Sequence, residues 1–214
     1  RRAAGAIGAA GSLERGSTVS DFDPLERKMQ DSLNAAVLHF EHADTRVHLI
    51  DTPGSTDFIG QALPALEAVD TAVVVINAAT WRVSGIDATA LRMMDYAAQR
   101  KLDRLLVVNK IDRADARPQE VLNEIYDLFI DLDATEEQLE FPVLYTNARD
   151  GICRREADGP DEGLKPLFEA IVLEARARGL AGATVLRGMM GFGAKSRIHT
   201  AKVFRLSEDL PIVI

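Results

Sequence analysis

Four short apolar runs most constrain what this chain can fold into. They are Val47–Ile50, Ala72–Val75, Leu105–Val108 and Phe141–Tyr145. Each has the length of a buried strand and is followed by a segment with apolar residues at helical spacing. The strands read as Arg46–Ile50, Thr71–Asn77, Leu105–Asn109 and Phe141–Tyr145. The helices read as Phe58–Val69, Asp87–Arg100, Pro118–Ile130 and Gly163–Arg178, the third with proline in its first turn, where the missing N–H costs nothing. Such alternation predicts an α/β fold with a doubly wound, mostly parallel sheet. Ala35–His42 adds a further strand, joined to Arg46–Ile50 by a hairpin at Ala43-Asp44-Thr45. Asp21-Phe22-Asp23-Pro24 is a turn or helix start.

The texture changes after Arg178. Five glycines fall within residues 179–193, and basic residues cluster at Arg187, Lys195, Arg197, Lys202 and Arg205. Ala183–Leu186 and Lys202–Leu206 read as strands about a glycine-rich loop, with Pro211-Ile212-Val213-Ile214 as an edge strand. The expected division is 1–178 and a short β-rich segment at 179–214. A chain of 214 residues suffices for one α/β domain with a small appendage. A formal charge of −8 argues against coating nucleic acid or an anionic membrane, and no direct DNA contact is expected. The single cysteine, Cys153, excludes an internal disulfide and suits a cytoplasmic setting. No apolar run approaches the ~20 residues of a membrane span. With Arg1 in place of an initiator methionine, the sequence reads as beginning within a longer protein.

Chemistry concentrates where apolar strands end. Asn109-Lys110-Ile111-Asp112 delivers an amide, an ammonium and a carboxylate to the C-terminal end of one strand, where open α/β sheets bind ligands. A carboxylate accepting from guanine N1–H and the 2-amino group would reject adenine. Asn109 can meet the base's N7, and the Lys110 stem can lie along the ring. Asp51-Thr52-Pro53-Gly54 closes another strand. An aspartate there can hold Mg²⁺ through water, and a glycine amide can reach a terminal phosphate. One such tetrapeptide is a weak signal. Two in this order indicate guanine-nucleotide GTPase ancestry.

With these motifs, residues 1–107 resemble the G domain of elongation factor G and its close relatives. The likeness is carried by Gly5-Ala6-Ile7-Gly8, by Gly16–Pro24, and by Asp51–Gly54 followed by Asp57-Phe58. Residues 108–172 are more similar to BipA-type ribosome-associated GTPases, through Asn109–Asp112, Asp115–Pro118, Leu132–Leu139 and Phe141–Tyr145. The last ~36 residues resemble an uncharacterised family of small PII-like proteins with a ferredoxin-like fold, through Gly182–Gly188, Gly191-Phe192-Gly193, Ser196–Ala201 and Leu206–Pro211. A natural fusion, an assembly artefact and an artificial sequence would each read as this mosaic.

The resemblance implies a GTP/GDP and Mg²⁺ site with ribosome association, and it exposes departures. By that alignment the first strand and its phosphate loop are missing, with residues 1–11 reading as the end of the following helix. Gly188–Ser196 nearly fits G-x-x-x-x-G-K-S, but Ala194 separates glycine from lysine and β-like residues follow. A basic loop between strands is the competing reading and fits better. The family's magnesium-binding threonine aligns with Ser32. Its water-positioning histidine is replaced by Ser55, which cannot do the same work. The last guanine motif, Ser-Ala in the family, is Asn147-Ala148, whose second amide could reach guanine O6.

Other candidates have bland alternatives. Asp51 and Asp112 could be simple caps. His39, His42 and His48 lack partners at ligand spacing. Cys153 beside Arg154-Arg155 is either an activated or a bystander thiol. The expected function is an impaired guanine-nucleotide G domain of elongation-factor type. The alternatives are a non-enzymatic PII-like nucleotide or anion sensor, and an inactive chimeric or artificial scaffold.

Overall fold

The computed structural model describes residues 8, 11–12, 15–42, 45–79, 87–131, 133–177 and 183–189. The expected helix end at 1–11 and the second and third C-terminal strands lie outside the described residues. In chain order the elements are α1 (Pro24–Met29), β1 (Ala36–His42), β2 (Thr45–Thr52), α2 (Ile59–Ala65), β3 (Thr71–Asn77), α3 (Asp87–Gln99), β4 (Asp103–Asn109), α4 (Pro118–Asp131), α5 (Glu136–Leu139), β5 (Val143–Asn147), β6 (Ile152–Arg154), α6 (Lys165–Ala177) and β7 (Ala183–Met189).

Among the described residues, seven strands form one sheet of order β1-β2-β7-β3-β4-β5-β6. The five inner strands are parallel, and the edge pairs β1·β2 and β5·β6 are antiparallel. This is the doubly wound α/β fold expected from the strand–helix alternation. Strand parity sorts the core onto two faces. Val74, Ile76, Leu106 and Val108 pack with Met94 of α3 and with Val121, Ile125 and Phe129 of α4. Val73, Val75, Leu105 and Val107 pack with Phe168, Ile171 and Val172 of α6. Residues 71–76 of β3 are all buried, as a strand covered on both faces must be.

The helix expected over Phe58–Val69 is divided. A 3₁₀ turn at Thr56–Phe58 precedes α2, and another at Leu66–Ala68 follows it. Pro64 lies inside α2 and has no N–H to continue the ladder; the Leu66 amide turns back to the Leu63 and Pro64 carbonyls. Two elements were not foreseen. Helix α5 starts at a reciprocal capping box between Thr135 and Gln138. Strand β6 is only three residues long and pairs with β5.

The change of texture after Arg178 is not a break in the sheet. β7 lies between β2 and β3, parallel to both. Val185 stands level with Leu49 on one side and Thr71 on the other. Each of β2 and β3 pairs with β7 along the edge it turns toward the other.

Candidate nucleotide site at the C-terminal edge of the sheet

The strand ends Thr52, Asn77, Asn109 and Asn147 define the C-terminal edge of the sheet. Asn77 and Asn109 stand level across β3 and β4, and Asn109 stands level with Thr146 of β5. The backbone stitches these ends together. The Ala78 amide donates to the Asn109 carbonyl at 2.8 Å, the Ile111 amide to the Thr146 carbonyl at 3.3 Å, and the Arg117 amide to the Ala78 carbonyl at 3.0 Å.

Asn109 is the pivot of this edge. It is 7 % exposed, and its Oδ1 accepts from the Thr146 hydroxyl at 3.0 Å and the Ala148 amide at 3.1 Å. Two donors on one oxygen fix the amide's orientation, so Nδ2 is its remaining hydrogen-bonding group and can only donate. A donor here suits the N7 acceptor of a purine. The same geometry revises the reading of Ala148: its amide is engaged by Asn109 rather than turned free toward a base oxygen. Asn147 holds its own loop, donating from Nδ2 to Asp150 Oδ2 at 2.6 Å and accepting at Oδ1 from the Asp150 amide at 3.3 Å.

Lys110 takes φ +66°, the left-handed conformation that turns the chain sharply off β4. Beyond it Asp112 is exposed. The neighbouring Arg113 lies close enough to Asp112 for their charges to attract and is hydrogen-bonded to Asp115, Nε to Oδ1 at 2.7 Å. That pairing holds the Asp115 carboxyl below the usual carboxylate range.

Asp51-Thr52-Pro53-Gly54 runs off the end of β2. Thr52 and Pro53 are buried, while Asp51 and Gly54 are half-buried. Ser55 begins the 3₁₀ turn: its carbonyl accepts from the Phe58 amide at 3.0 Å, and its hydroxyl lies 3.4 Å from the Asp57 amide. Ser32 belongs to a different network. Its hydroxyl donates to Asp21 Oδ1 at 2.6 Å, while Thr18 donates to Asp21 Oδ2 at 2.9 Å. Among the described residues no three His, Cys, Asp or Glu side chains gather as a metal cage. One carboxylate, such as that of Asp51, is enough for Mg²⁺, which keeps several waters and uses one or two carboxylates with substrate phosphates.

The segment around Ser32 rests on Glu26, a buried carboxylate the sequence did not single out. It is 2 % exposed. Its Oε2 accepts from the Asp23 amide at 3.2 Å, and Oε1 from the amides of Leu33 at 3.0 Å and Asn34 at 2.9 Å. The signal was legible: Asp23-Pro24-Leu25-Glu26 has capping-box spacing.

The remaining candidates sit in local packing. His42 stacks on Phe168 at 4.4 Å between ring centroids, and His39 faces His48 across β1 and β2 at 6.3 Å. Cys153 is fully buried, and burial pushes its thiol up to about 11. No helix among the described residues is long and apolar enough to cross a membrane.

With this geometry in place, comparison with known proteins is direct. The Elongation factor Tu GTP binding domain family matches residues 2–177. A second, uncharacterised conserved family matches residues 160–214. The large ribosomal subunit assembly factor BipA of Bacillus subtilis is 39 % identical over 152 residues, covering 71 % of this chain and 24 % of that protein. The BipA of Escherichia coli K12 is 33 % identical over 154 residues, covering 72 % of this chain and 25 % of that protein. The chain thus spans about a quarter of the length of these relatives. Among solved structures, the elongation factor SelB of Methanococcus maripaludis, in complex with the GTP analogue GppNHp, superposes with a TM-score of 0.52 at 19 % identity. The match covers 68 % of this chain and 28 % of that one. A structure from Thermus thermophilus gives a TM-score of 0.52 at 21 % identity, covering 87 % and 33 %. Both agree with the fold.

Proposed function

Since the chain belongs to the elongation factor Tu GTP-binding domain family, we propose that it binds guanine nucleotide at the C-terminal edge of its sheet, with residues 1–178 as the nucleotide-binding unit. Asn109 would donate from Nδ2 to the base N7, and Lys110 would lie along the ring. Asp112 would accept the paired donors that only guanine presents. Asp51 would hold Mg²⁺ through water, and Gly54 would contact the terminal phosphate. The observation that carries this reading is the fixed Asn109 amide at the pivot of β3, β4 and β5. The Ala148 amide serves it by holding that asparagine, and Asn147 by shaping the loop.

The chain's affinity should be low. A full phosphate loop supplies several charge-assisted hydrogen bonds of ~1.5–3 kcal/mol each, and losing three forfeits ~5 kcal/mol, roughly 10³–10⁴ in affinity. GDP binding is therefore expected in the high-micromolar range or weaker. Ribosome association, as in the assembly factors the chain resembles, would be coupled to nucleotide through switch movements.

Calorimetry with GDP, ADP and xanthosine diphosphate tests the base pocket. Guanine should be preferred, and Asp112→Asn should move the preference toward xanthine, because an amide can donate to its 2-oxo group. A guanine preference that survives the exchange, or a preference for adenine, rejects the assignment.

A further inference from the structure

The hairpin β1·β2 sets His39 directly opposite His48. Side chains of level residues on neighbouring strands lie on one face and meet there. Parity fixes which face. Phe40 and Val47 pack toward Phe168 of α6, so His39 and His48 point the other way, and both are exposed. Three level pairs follow one another along this outer face: Glu41 with Arg46, His39 with His48, and Val37 with Ile50. Glu41 and Arg46 form an ion pair at 2.8 Å, so the cation of this face is already matched. Glu41 also lies close enough to His39 for their charges to attract. The two imidazole rings have centres 6.3 Å apart and planes inclined at 39°.

That separation has chemical meaning. An imidazole nitrogen binds a divalent transition ion at about 2.0–2.1 Å, which puts the ion about 3.2 Å from the ring centre. Two rings on one ion therefore have centres at most about 6.4 Å apart, and about 5.2 Å apart at a tetrahedral angle. The pair stands at the open end of this range. Rotation of two exposed side chains closes the remaining distance without moving a strand. The hairpin ladder fixes the alignment of the two rings, so an ion held by one meets the other at high effective concentration. No third His, Cys, Asp or Glu joins them among the described residues, and water fills the other coordination positions.

We propose that His39 and His48 form a two-histidine site for a divalent transition ion, Cu²⁺ more tightly than Zn²⁺, that clips β1 to β2. Imidazole selects these ions, whereas Mg²⁺ takes oxygen ligands. The clip secures β1, which has a neighbouring strand on one side only. The site is separate from the nucleotide reading and stands or falls without it.

Titration of the full chain, free of nucleotide, with Cu²⁺ and with Zn²⁺ tests it, read by the histidine ring signals in NMR and by melting temperature. Paramagnetic Cu²⁺ should broaden the rings of His39 and His48 first, while His42, stacked on Phe168 on the opposite face, persists. Zn²⁺ should shift the same two rings together and raise the melting temperature with its concentration, as a ligand of the folded state does. Mg²⁺ should do neither. His39→Gln and His48→Gln should each weaken binding at least roughly tenfold, the lower bound for losing even a supporting partner of a metal ligand. Both side chains are exposed, so the metal-free melting temperature should not change. No response to either ion, or broadening that begins at another histidine, overturns the proposal. Binding that survives either substitution, or that needs only one of the two histidines, overturns it as well.

Discussion

At the scale of single residues, two buried groups carry consequences that exposure alone would not suggest. The Glu26 carboxylate satisfies the amides of Asp23, Leu33 and Asn34, fastening the loop after α1 to the start of that helix. Truncation to alanine removes every acceptor at once. With ~1–3 kcal/mol for an orphaned buried donor, and water reaching part of this loop, Glu26→Ala should cost about 2–4 kcal/mol by urea denaturation. Glu26→Gln keeps the acceptor oxygen and should cost less. Cys153 makes a pH-dependent contribution. The unfolded thiol ionises near its ordinary value of 9, while the folded one keeps its proton to about 11. The native state then binds more protons, so stability falls as pH rises between those values and is unaffected below them. Urea midpoints of the native chain and Cys153→Ala at pH 8 and pH 10.5 should show a steeper decline for the native chain. In the folded protein at pH 8, Cys153 should resist thiol reagents until urea is added.

At the scale of elements, the decisive piece is β7. Without it the facing edges of β2 and β3 lose the rows of hydrogen bonds they make to it, and unpaired buried amides and carbonyls are costly. Deleting residues 180–214 should lower the melting temperature and solubility markedly. A truncated chain with unchanged melting behaviour would make the segment a passenger. A sharper probe is Val185→Pro, which removes one ladder donor inside the sheet and should cost about 3 kcal/mol or more. The strand was legible in sequence as β-prone residues from Ala183 to Leu186. Its place was expected in part: the family resemblance leaves a gap between Val47–Ile50 and Thr71–Asn77, with Thr184–Leu186, Val203–Leu206 and Pro211–Ile214 as candidates to join the main sheet, and β7 lies in that gap. The break in α2 follows from Pro64, whose position in the sequence was plain but whose effect on the ladder needed the local geometry. Strand β6 offered no periodicity because three residues show none.

At the scale of the whole molecule, the edge where the strands end gathers the residues proposed to recognise the base, Asn109, Lys110 and Asp112, near the proposed phosphate-side residues Asp51 and Gly54. Phosphoryl transfer depends on positioning and charge stabilisation. Ser55 has neither the charge nor the basicity to position an attacking water, and the Ser32 hydroxyl is directed to Asp21. GTP turnover by this chain should therefore stay at background in a phosphate-release assay. Turnover that persists in Asp51→Ala and Ser55→Ala would indicate a different site. Because β7 joins the hairpin β1·β2 to the rest of the sheet, unfolding should be one cooperative transition rather than two.

The sequence by itself determined most of the elements and the motifs at their ends. Apolar runs of strand length, the amphipathic segments between them, and the motifs at Asp51–Gly54 and Asn109–Asp112 are local patterns. Local patterns follow from burial and hydrogen-bonding demands that each segment carries alone. Only the tertiary structure decided which strand completes the sheet and how the site residues spend their hydrogen bonds. The Ala148 amide and Asn109 Oδ1 are 39 positions apart in the chain and meet because β4 and β5 are neighbours. β7 lies between β2 and β3 for the same reason: long-range pairing is chosen by the backbone groups left open elsewhere, and no segment records that in its own residues.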